Sequence, residues 1–543
     1  MLRWLFDSPS GASNRLIPRW LFLRALAAIY FSAFYSLLFQ IRGLIGPDGI
    51  LPAGQYLEAV SRALGSSRLW FAPTLLWLSS SSHMLLFVCW AGLAASIAAF
   101  LNLWPRFSFF LCFVCYLSFV AAAGDFSGYQ SDGMLLEAGF LALFFSPSGL
   151  RPGWGAARPP SRASLFLLQW EWFRIYFESG MVKLLSGDPQ WRDFTAMDNY
   201  YQNGPLPTWI GWYVQHLPHW FHAATVVATL GMELVVVLLL FFPRRFRLIC
   251  FLIVTPWEIG VILTANYTFL NYLVLSLGIL LLDDRMLRRF VPAFLHLPEP
   301  VSAEPELQDE APLSLLADHT EKETSPPRRT PLSGIAKHWD ALRLAVCAVM
   351  LSWVAYATTA QLVMMPQHVL PLPAAPIRAL EPFRIANQYG LFAVMTRGRY
   401  EIEFQGSTDG EHWVAYPFRY KPQALNEPPG IYAPYQPRFD WNLWFASLSD
   451  WQQNNFVPLT EERLLENDHD VLALFRSNPF AGGPPKYVRA VLWQYWFTSM
   501  SEKRQTGNWW RRQLLGLYAP ELESEPGGKV GVVQMPEPLP EHN

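Results

Sequence analysis

Seven ionisable side chains stand inside long apolar runs of this sequence: Glu137, Glu171, Arg174, Glu178, Lys183, Glu233 and Glu258. Each costs about 2.5 to 3.5 kcal/mol at the centre of a membrane helix, so such groups face other helices or a cavity. At about 100° per residue, Glu171, Arg174 and Glu178 fall within about 60° of one another, a single polar stripe with internal ion pairing. Lys183 lies about 140° from Glu178 on an ideal helix and joins the stripe only if Ser179-Gly180 kinks or ends that helix. Two roles suit these residues. Glu171, Arg174, Glu233 and Glu258, with Glu178, make a polar intramembrane network that pairs across helices and holds a bundle together. Lys183 has no opposite charge four residues away and sits beside the acidic loop 187–198. Once desolvated it is suited to act as a catalytic base, with Glu178 and Glu137 as partners.

Other reactive residue types occur in contexts that argue against chemistry. Cys112 and Cys115 form a C-x-x-C pair, but mid-bilayer, with no helix N-terminus or cation to favour a thiolate. Cys89, Cys250 and Cys347 also fall in apolar runs, so the carboxy-terminal region must fold without disulfides. His216, His219 and His222 recur every third residue, yet Leu217-Pro218 separates the first two and no cysteine accompanies them, so no metal site is expected. No nucleophile elbow, phosphate-binding loop or extramembrane zinc pair is present, and no cofactor is expected. Asn266-Tyr-Thr268 matches a glycosylation sequon but sits in a tight turn between spans.

The elements that position these residues are membrane helices. Of the 543 residues 52% are hydrophobic and only 15% charged, where a soluble chain carries about a quarter charged. The net charge of −2 lacks the basic excess that nucleic-acid binding requires. Apolar stretches of spanning length are predicted at 20–40, 83–103, 107–123, 134–146, 164–185, 220–242, 248–265, 267–282 and 342–364. The fourth, at about 20 Å of helical rise, is the shortest. Retained Arg and Lys mark cytoplasmic loops. Arg3, Arg15 and Arg19 put the amino terminus inside, and Arg106, Arg151, Arg158, Arg162, Arg244, Arg245, Arg247, Arg285, Arg288 and Arg289 fall where alternation requires them. The opposite loops hold Asp125, Asp132, Asp188, Asp193 and Asp198 against a single Arg192. Arg42, Arg62 and Arg68 dissent.

The expected organisation is a bundle of about eight spans at 1–290, a disordered cytoplasmic linker at 291–340, a last span at 341–365, an exoplasmic β-rich domain at 366–520 and a disordered tail at 521–543. Tyr400, Ile402 and Phe404 alternate on one strand face, Ser407 to Gly410 supplies hairpin-turn chemistry, 459–476 has helical spacing, and 487–497 is strand-like. The fold class is therefore a polytopic α-helical membrane protein with a β-sandwich-like exoplasmic domain that carries a helical insertion. Asp440, Trp441 and Trp444 suggest an aromatic surface on which a client protein docks.

Several strings resemble the lipase maturation factor family: Gly128-Tyr-Gln-Ser-Asp-Gly-Met-Leu-Leu-Glu137, Lys183-Leu-Leu-Ser-Gly-Asp-Pro-Gln-Trp191, Tyr389-Gly-Leu-Phe-Ala-Val-Met-Thr396, Tyr400-Glu-Ile-Glu-Phe404, Ala433-Pro-Tyr-Gln-Pro-Arg-Phe-Asp-Trp441 and Asn478-Pro-Phe480. The resemblance runs from the first span to about Tyr518. It implies, in a eukaryote, a multi-pass protein of the endoplasmic reticulum membrane that assists folding of secreted dimeric lipases, and, in a bacterium, an inner-membrane protein that acts as an exoplasmic folding or modification factor. It supplies no catalytic residue. Ile175-Tyr-Phe-Glu-Ser-Gly-Met-Val-Lys-Leu184 is similar to the segment of vitamin K-dependent gamma-carboxylase and its transmembrane relatives that carries their base, which implies that role for Lys183. Glu178 departs from that pattern.

The expected function is a membrane-anchored factor that assists maturation of secreted client proteins and is embedded in the lipid bilayer. The alternative is an intramembrane enzyme with Lys183 as base, acting on a lipid, quinone-like or peptide substrate. A transporter is a third reading, which no internal repeat supports.

Overall fold

The computed structural model describes residues 2–8, 11–291, 332–366 and 372–538. The main helices of the amino-terminal part are α1 (Leu16–Leu38), α2 (Ser82–Phe100), α3 (Pro105–Val120), α4 (Gln130–Phe145), α5 (Arg162–Leu185), α6 (His219–Leu234), α7 (Arg244–Thr264) and α8 (Leu270–Gly278). A further helix, α9 (Leu332–Met364), packs on α5. Local chemistry sets their starts. The Ser81 and Ser161 side chains accept hydrogen bonds from the first-turn N–H groups of α2 and α5. The Asp284 carboxylate caps α1 from a distant loop, accepting from the N–H groups of Leu16 at 3.2 Å and Ile17 at 2.9 Å.

Five helices are long and apolar enough to cross a membrane: Leu16–Leu38, Ser82–Phe100, His219–Phe241, Arg244–Thr264 and His338–Met364. Pro105–Val120 and Leu270–Leu281 are apolar but shorter. α4 and α5 miss the apolar criterion for a physical reason: they carry Asp132, Glu137, Glu171, Arg174, Glu178 and Lys183, all buried within the bundle. Among the described residues, then, length and composition support five of the nine or so expected crossings. α5 contacts α4, α6, α8 and α9. Arg42, one of the residues that disturbed the charge pattern, faces Asp470 of the carboxy-terminal domain at 3.2 Å.

The carboxy-terminal domain is built on one antiparallel sheet of six strands: β1 (Arg399–Ser407), β2 (Val414–Ala415), β3 (Tyr487–Phe497), β4 (Trp510–Leu517), β5 (Glu521–Glu525) and β6 (Lys529–Gln534). β1 pairs with β3 over its whole length, Arg399 opposite Tyr495 through Ser407 opposite Tyr487. β2 returns beside β1 through the expected turn, where the Asp409 carboxylate accepts from the N–H groups of Glu411 and His412 and Gly410 takes φ of +80°. The expected sandwich is not formed by the described residues. Instead of a second sheet, α10 (Arg438–Ala446) and α11 (Phe456–Leu465) contact β1 and β3 and bury the face of Tyr400, Ile402 and Phe404.

Two boundaries also differ. Residues 521–534, expected to be a disordered tail, form a hairpin, because Pro526-Gly-Gly supplies a turn with Gly527 and Gly528 at φ of +87° and +75° and Leu522 seals it to the core. α9 begins at Leu332, inside the expected linker, since helical hydrogen bonding continues past the apolar part of the span. The remainder of that linker expectation, 292–331, lies outside the described residues.

Asp440 anchors a turn in this domain: its Oδ1 accepts from the N–H groups of Tyr420 and Lys421, each at 3.1 Å. Burial raises its carboxyl from the ordinary 3.8 to about 6, against those two donors, which lower it. The folded chain thus keeps the proton through a window, about pH 4 to 6, in which the unfolded chain has released it. Stability falls as pH rises through that window, by roughly 2 to 3 kcal/mol. Asp440→Asn keeps the acceptor and removes the charge. In micelles at pH 7.5 the variant is expected to melt above the parent, with the gap closing toward pH 4; a gap independent of pH contradicts the assignment.

Candidate functional site

α5 carries a polar line through the bundle, and each of its members is matched by a different neighbour. Arg174 is fully buried and pairs with Glu137 of α4. Its Nη1 donates to the Asn387 carbonyl at 2.6 Å and lies 3.9 Å from Glu178 Oε1. The Glu137 Oε2 accepts from Asn387 N at 3.0 Å, Asn387 Nδ2 at 3.1 Å and the Tyr389 hydroxyl at 2.9 Å. Glu178 Oε2 accepts from Tyr389 N at 2.6 Å. The segment that leads into the β-domain is therefore inserted into the bundle, where its backbone and two side chains bond three buried charges. Glu171, one turn earlier, is buried in the field of Glu137 and Arg174 and makes no hydrogen bond among the described residues.

Lys183 lies elsewhere. α5 runs unbroken through Ser179-Gly180, so the 140° offset holds and Lys183 points to α6, where its Nζ bonds both Glu233 oxygens at 2.8 and 2.9 Å. Gly180 makes this pair reachable. A Cβ there would stand 2.8 Å from the Leu234 side chain and 3.0 Å from the Glu233 Cβ, so only glycine lets α5 and α6 approach this closely. The remaining Lys183 donors reach the carbonyls of Ser179 at 3.3 Å and Leu391 at 3.2 Å, and the ammonium lies 5.2 Å from the Trp191 ring centre. Glu258 of α7 is held by the Tyr176 hydroxyl and Asn271 Nδ2, each at 2.6 Å.

Lys183, Glu233 and Glu258 line a cavity of about 700 Å³ between the bundle and the carboxy-terminal domain, walled by aromatic groups such as Trp191, Tyr200 and Phe392. Glu137 and Glu178 do not line it; they are engaged by Asn387 and Tyr389. The lysine and the two carboxylates expected to assist it are thus separated into two environments. Trp441 and Trp444, expected on a docking surface, are only 8% and 7% exposed and form part of the cavity wall. Trp444 Nε1 donates to the Asn203 carbonyl at 3.0 Å, and Trp441 stacks edge-on against Tyr129 and Tyr267. Asp440 is also buried, so the expected surface is an internal seam. The three histidines do not converge: His216 lies between the carbonyls of Trp212 and Thr498, whereas His219 meets Asp198.

Sequence reasoning missed the partners outside the apolar runs. Arg438 is buried and grips Asp132 through two bonds of 2.8 Å, with Tyr116 sharing both groups. Asn266 bonds the N–H groups of Tyr432 and Ala433 and the Gly430 carbonyl, so the sequon asparagine is interior. The available signal was positional: Asp132, Tyr389 and Arg438 all fall in the strings that carry the family resemblance.

Residues 17–289 match the lipase maturation factor transmembrane domain, and residues 385–520 match the lipase maturation factor C-terminal domain. Lipase maturation factor 2 of Gallus gallus is 34% identical, with 93% of this chain and 81% of that protein aligned. Lipase maturation factor 2 of Homo sapiens is 34% identical over 94% and 83% of the two chains. Lipase maturation factor 1 of Bos taurus is 30% identical over 97% and 92%. No solved structure matches.

A double-mutant cycle tests the Lys183–Glu233 pair. Lys183→Met alone leaves Glu233 buried without its cation and is expected to destabilise the purified protein by about 3 to 5 kcal/mol. Lys183→Met with Glu233→Gln is expected to recover most of that loss. Additive effects in thermal melts show that the two residues do not interact.

Proposed function

This chain belongs to the lipase maturation factor family, and we propose that it is a membrane-anchored maturation factor whose carboxy-terminal domain serves secreted clients, lipases foremost, on the exoplasmic side. One observation carries this reading above the others: both family domains are present, and the start of the carboxy-terminal domain is built into the bundle through Asn387 and Tyr389. A β-domain fixed to the membrane in this way is held at constant distance and orientation from newly translocated chains. The contact of Arg42 with Asp470 supports an exoplasmic site for the first long loop and the β-domain together. The Arg clusters at 244–247 and 285–289 support a cytoplasmic opposite face. In a eukaryotic host that arrangement corresponds to the endoplasmic reticulum membrane.

Among the residues considered for catalysis, the structure favours support. Glu137 and Glu178 fix Arg174 and the 387–389 segment, and Lys183 is neutralised by Glu233. A buried charge held by partners of opposite charge is a positioning element, not a poised base.

The test is secretion of a dimeric lipase in cells that lack their own maturation factor, with active enzyme measured against total lipase protein. The wild-type chain is expected to raise that ratio several-fold, and so is the folded double variant Lys183→Met, Glu233→Gln. No rise with the wild-type chain refutes the maturation role for that client class. Loss of the rise in a stably folded double variant assigns chemistry to Lys183 and overturns the supporting role.

A further inference from the structure

Many of the hydrogen-bonding groups that line the cavity between α5, α6, α7, α8 and the carboxy-terminal domain are already engaged. All three Lys183 N–H directions are taken, by Glu233, Ser179 and Leu391. The Tyr176 hydroxyl and an Asn271 N–H are committed to Glu258. The hydroxyls of Thr225, Thr229 and Thr264 donate to carbonyls of their own helices. Besides the Tyr267 hydroxyl, one lining acceptor is left without a hydrogen-bond partner among the described residues: Asn271 Oδ1, in a residue only 7% exposed. Its amide orientation is set by Glu258, since the carboxylate requires the N–H side. An orphaned buried acceptor asks for a donor from outside the chain.

Charge and shape narrow the donor further. Lys183 is cancelled by Glu233, and Glu258 adds only negative charge, so the lining offers no unpaired cation to a phosphate or carboxylate headgroup. The other walls are apolar, with Phe221, Met232, Trp257, Val261 and Phe392 among them. A volume of about 700 Å³ is ample for one compact amphiphile. The cavity also adjoins the bilayer. α6 packs on α5, and α7 on α8, while α6 and α7 join through the turn Val236–Phe241. Both helices expose apolar residues outward, Val227 on α6 with Val235 just beyond its end, and Leu252, Ile253 and Leu263 on α7. Their inner faces, Phe221, Thr225 and Thr229 against Trp257, Val261 and Thr264, line the cavity.

We propose that this cavity binds a neutral lipid alcohol taken from the bilayer between α6 and α7, its hydroxyl donating to Asn271 Oδ1 beside Glu258 and its apolar body lying against the aromatic walls. Acylglycerols and sterols share this chemistry.

The purified full-length chain in nanodiscs is exposed to a photoactivatable diacylglycerol or a photoactivatable sterol, and labelled peptides are mapped by mass spectrometry. One of the two probes is expected to label 221–233 or 257–274 saturably, with competition by its unlabelled parent, which identifies the lipid source. The O-methyl ether of that probe is expected to bind about tenfold more weakly, because it cannot donate. Gly260→Phe places a ring where a Cβ meets nothing within 4 Å on the cavity wall, and is expected to reduce saturable labelling about tenfold. Gly231→Phe, also unobstructed but outside the cavity lining, is expected to leave labelling unchanged. Thermal melting confirms that both variants are folded. Labelling confined to the outer faces of α6 and α7, equal binding of the ether, or undiminished labelling of folded Gly260→Phe each overturns the proposal. The readout is direct binding, so it stands or falls separately from client maturation.

Discussion

The structure depends on one constraint: Arg174 is completely buried inside a bundle that sits in lipid, and it must be neutralised there. No single carboxylate does this. Glu137 from α4 pairs with it directly, Glu178 lies one turn along α5, and the Asn387 carbonyl takes another N–H. The carboxylates in turn need donors, and these come from Asn387 and Tyr389. Removing one partner from such a buried set leaves an uncompensated charge, so each contact holds the others in place.

The consequence for domain organisation is direct. A β-domain reached through a single crossing helix would be expected to swing freely relative to the membrane. Here the segment beyond α9 returns into the bundle, and Arg438 of α10 closes a second buried lock on Asp132 at the head of α4. The sheet is thereby held over the bundle, and its connection to α5 and α4 is polar, directional and intolerant of slippage. Trp441 and Trp444 pack into the same seam. Both tryptophans are spent on holding the two parts together.

The polar residues of α5 also illustrate how one helix serves two environments. Arg174 and Glu178 bond the inserted segment, whereas Lys183 and Tyr176 face α6 and α7. The split follows from helical pitch and from Gly180, whose missing side chain brings Glu233 within reach of Lys183. The cavity that opens beside the second group carries its own charge balance. It is lined by an ion pair, a carboxylate fixed by two donors, and a broad apolar wall.

Much of this was legible without coordinates. Apolar periods located the helices within a few residues, the start of α9 excepted, alternation of Tyr400, Ile402 and Phe404 located the first strand, and the stripe of Glu171, Arg174 and Glu178 announced a polar interior, because each is a local property of spacing and composition. Spacing alone could not say which charge meets which. Arg438 lies 306 residues from Asp132, Asn387 lies 250 from Glu137, and Lys183 lies 50 from Glu233. Hydrophobicity likewise could not tell an exposed aromatic cluster from a buried seam, which is why Trp441 and Trp444 read as a surface. Nor could it separate a sandwich from a single sheet covered by α10 and α11, since both demand the same alternating strands. The sequence by itself determined a membrane bundle with charged residues turned inward and a β-rich domain at its end. Only the tertiary structure decided the partners of those charges, because a buried ion is satisfied by whatever the fold brings within about 3 Å, however far away it lies along the chain.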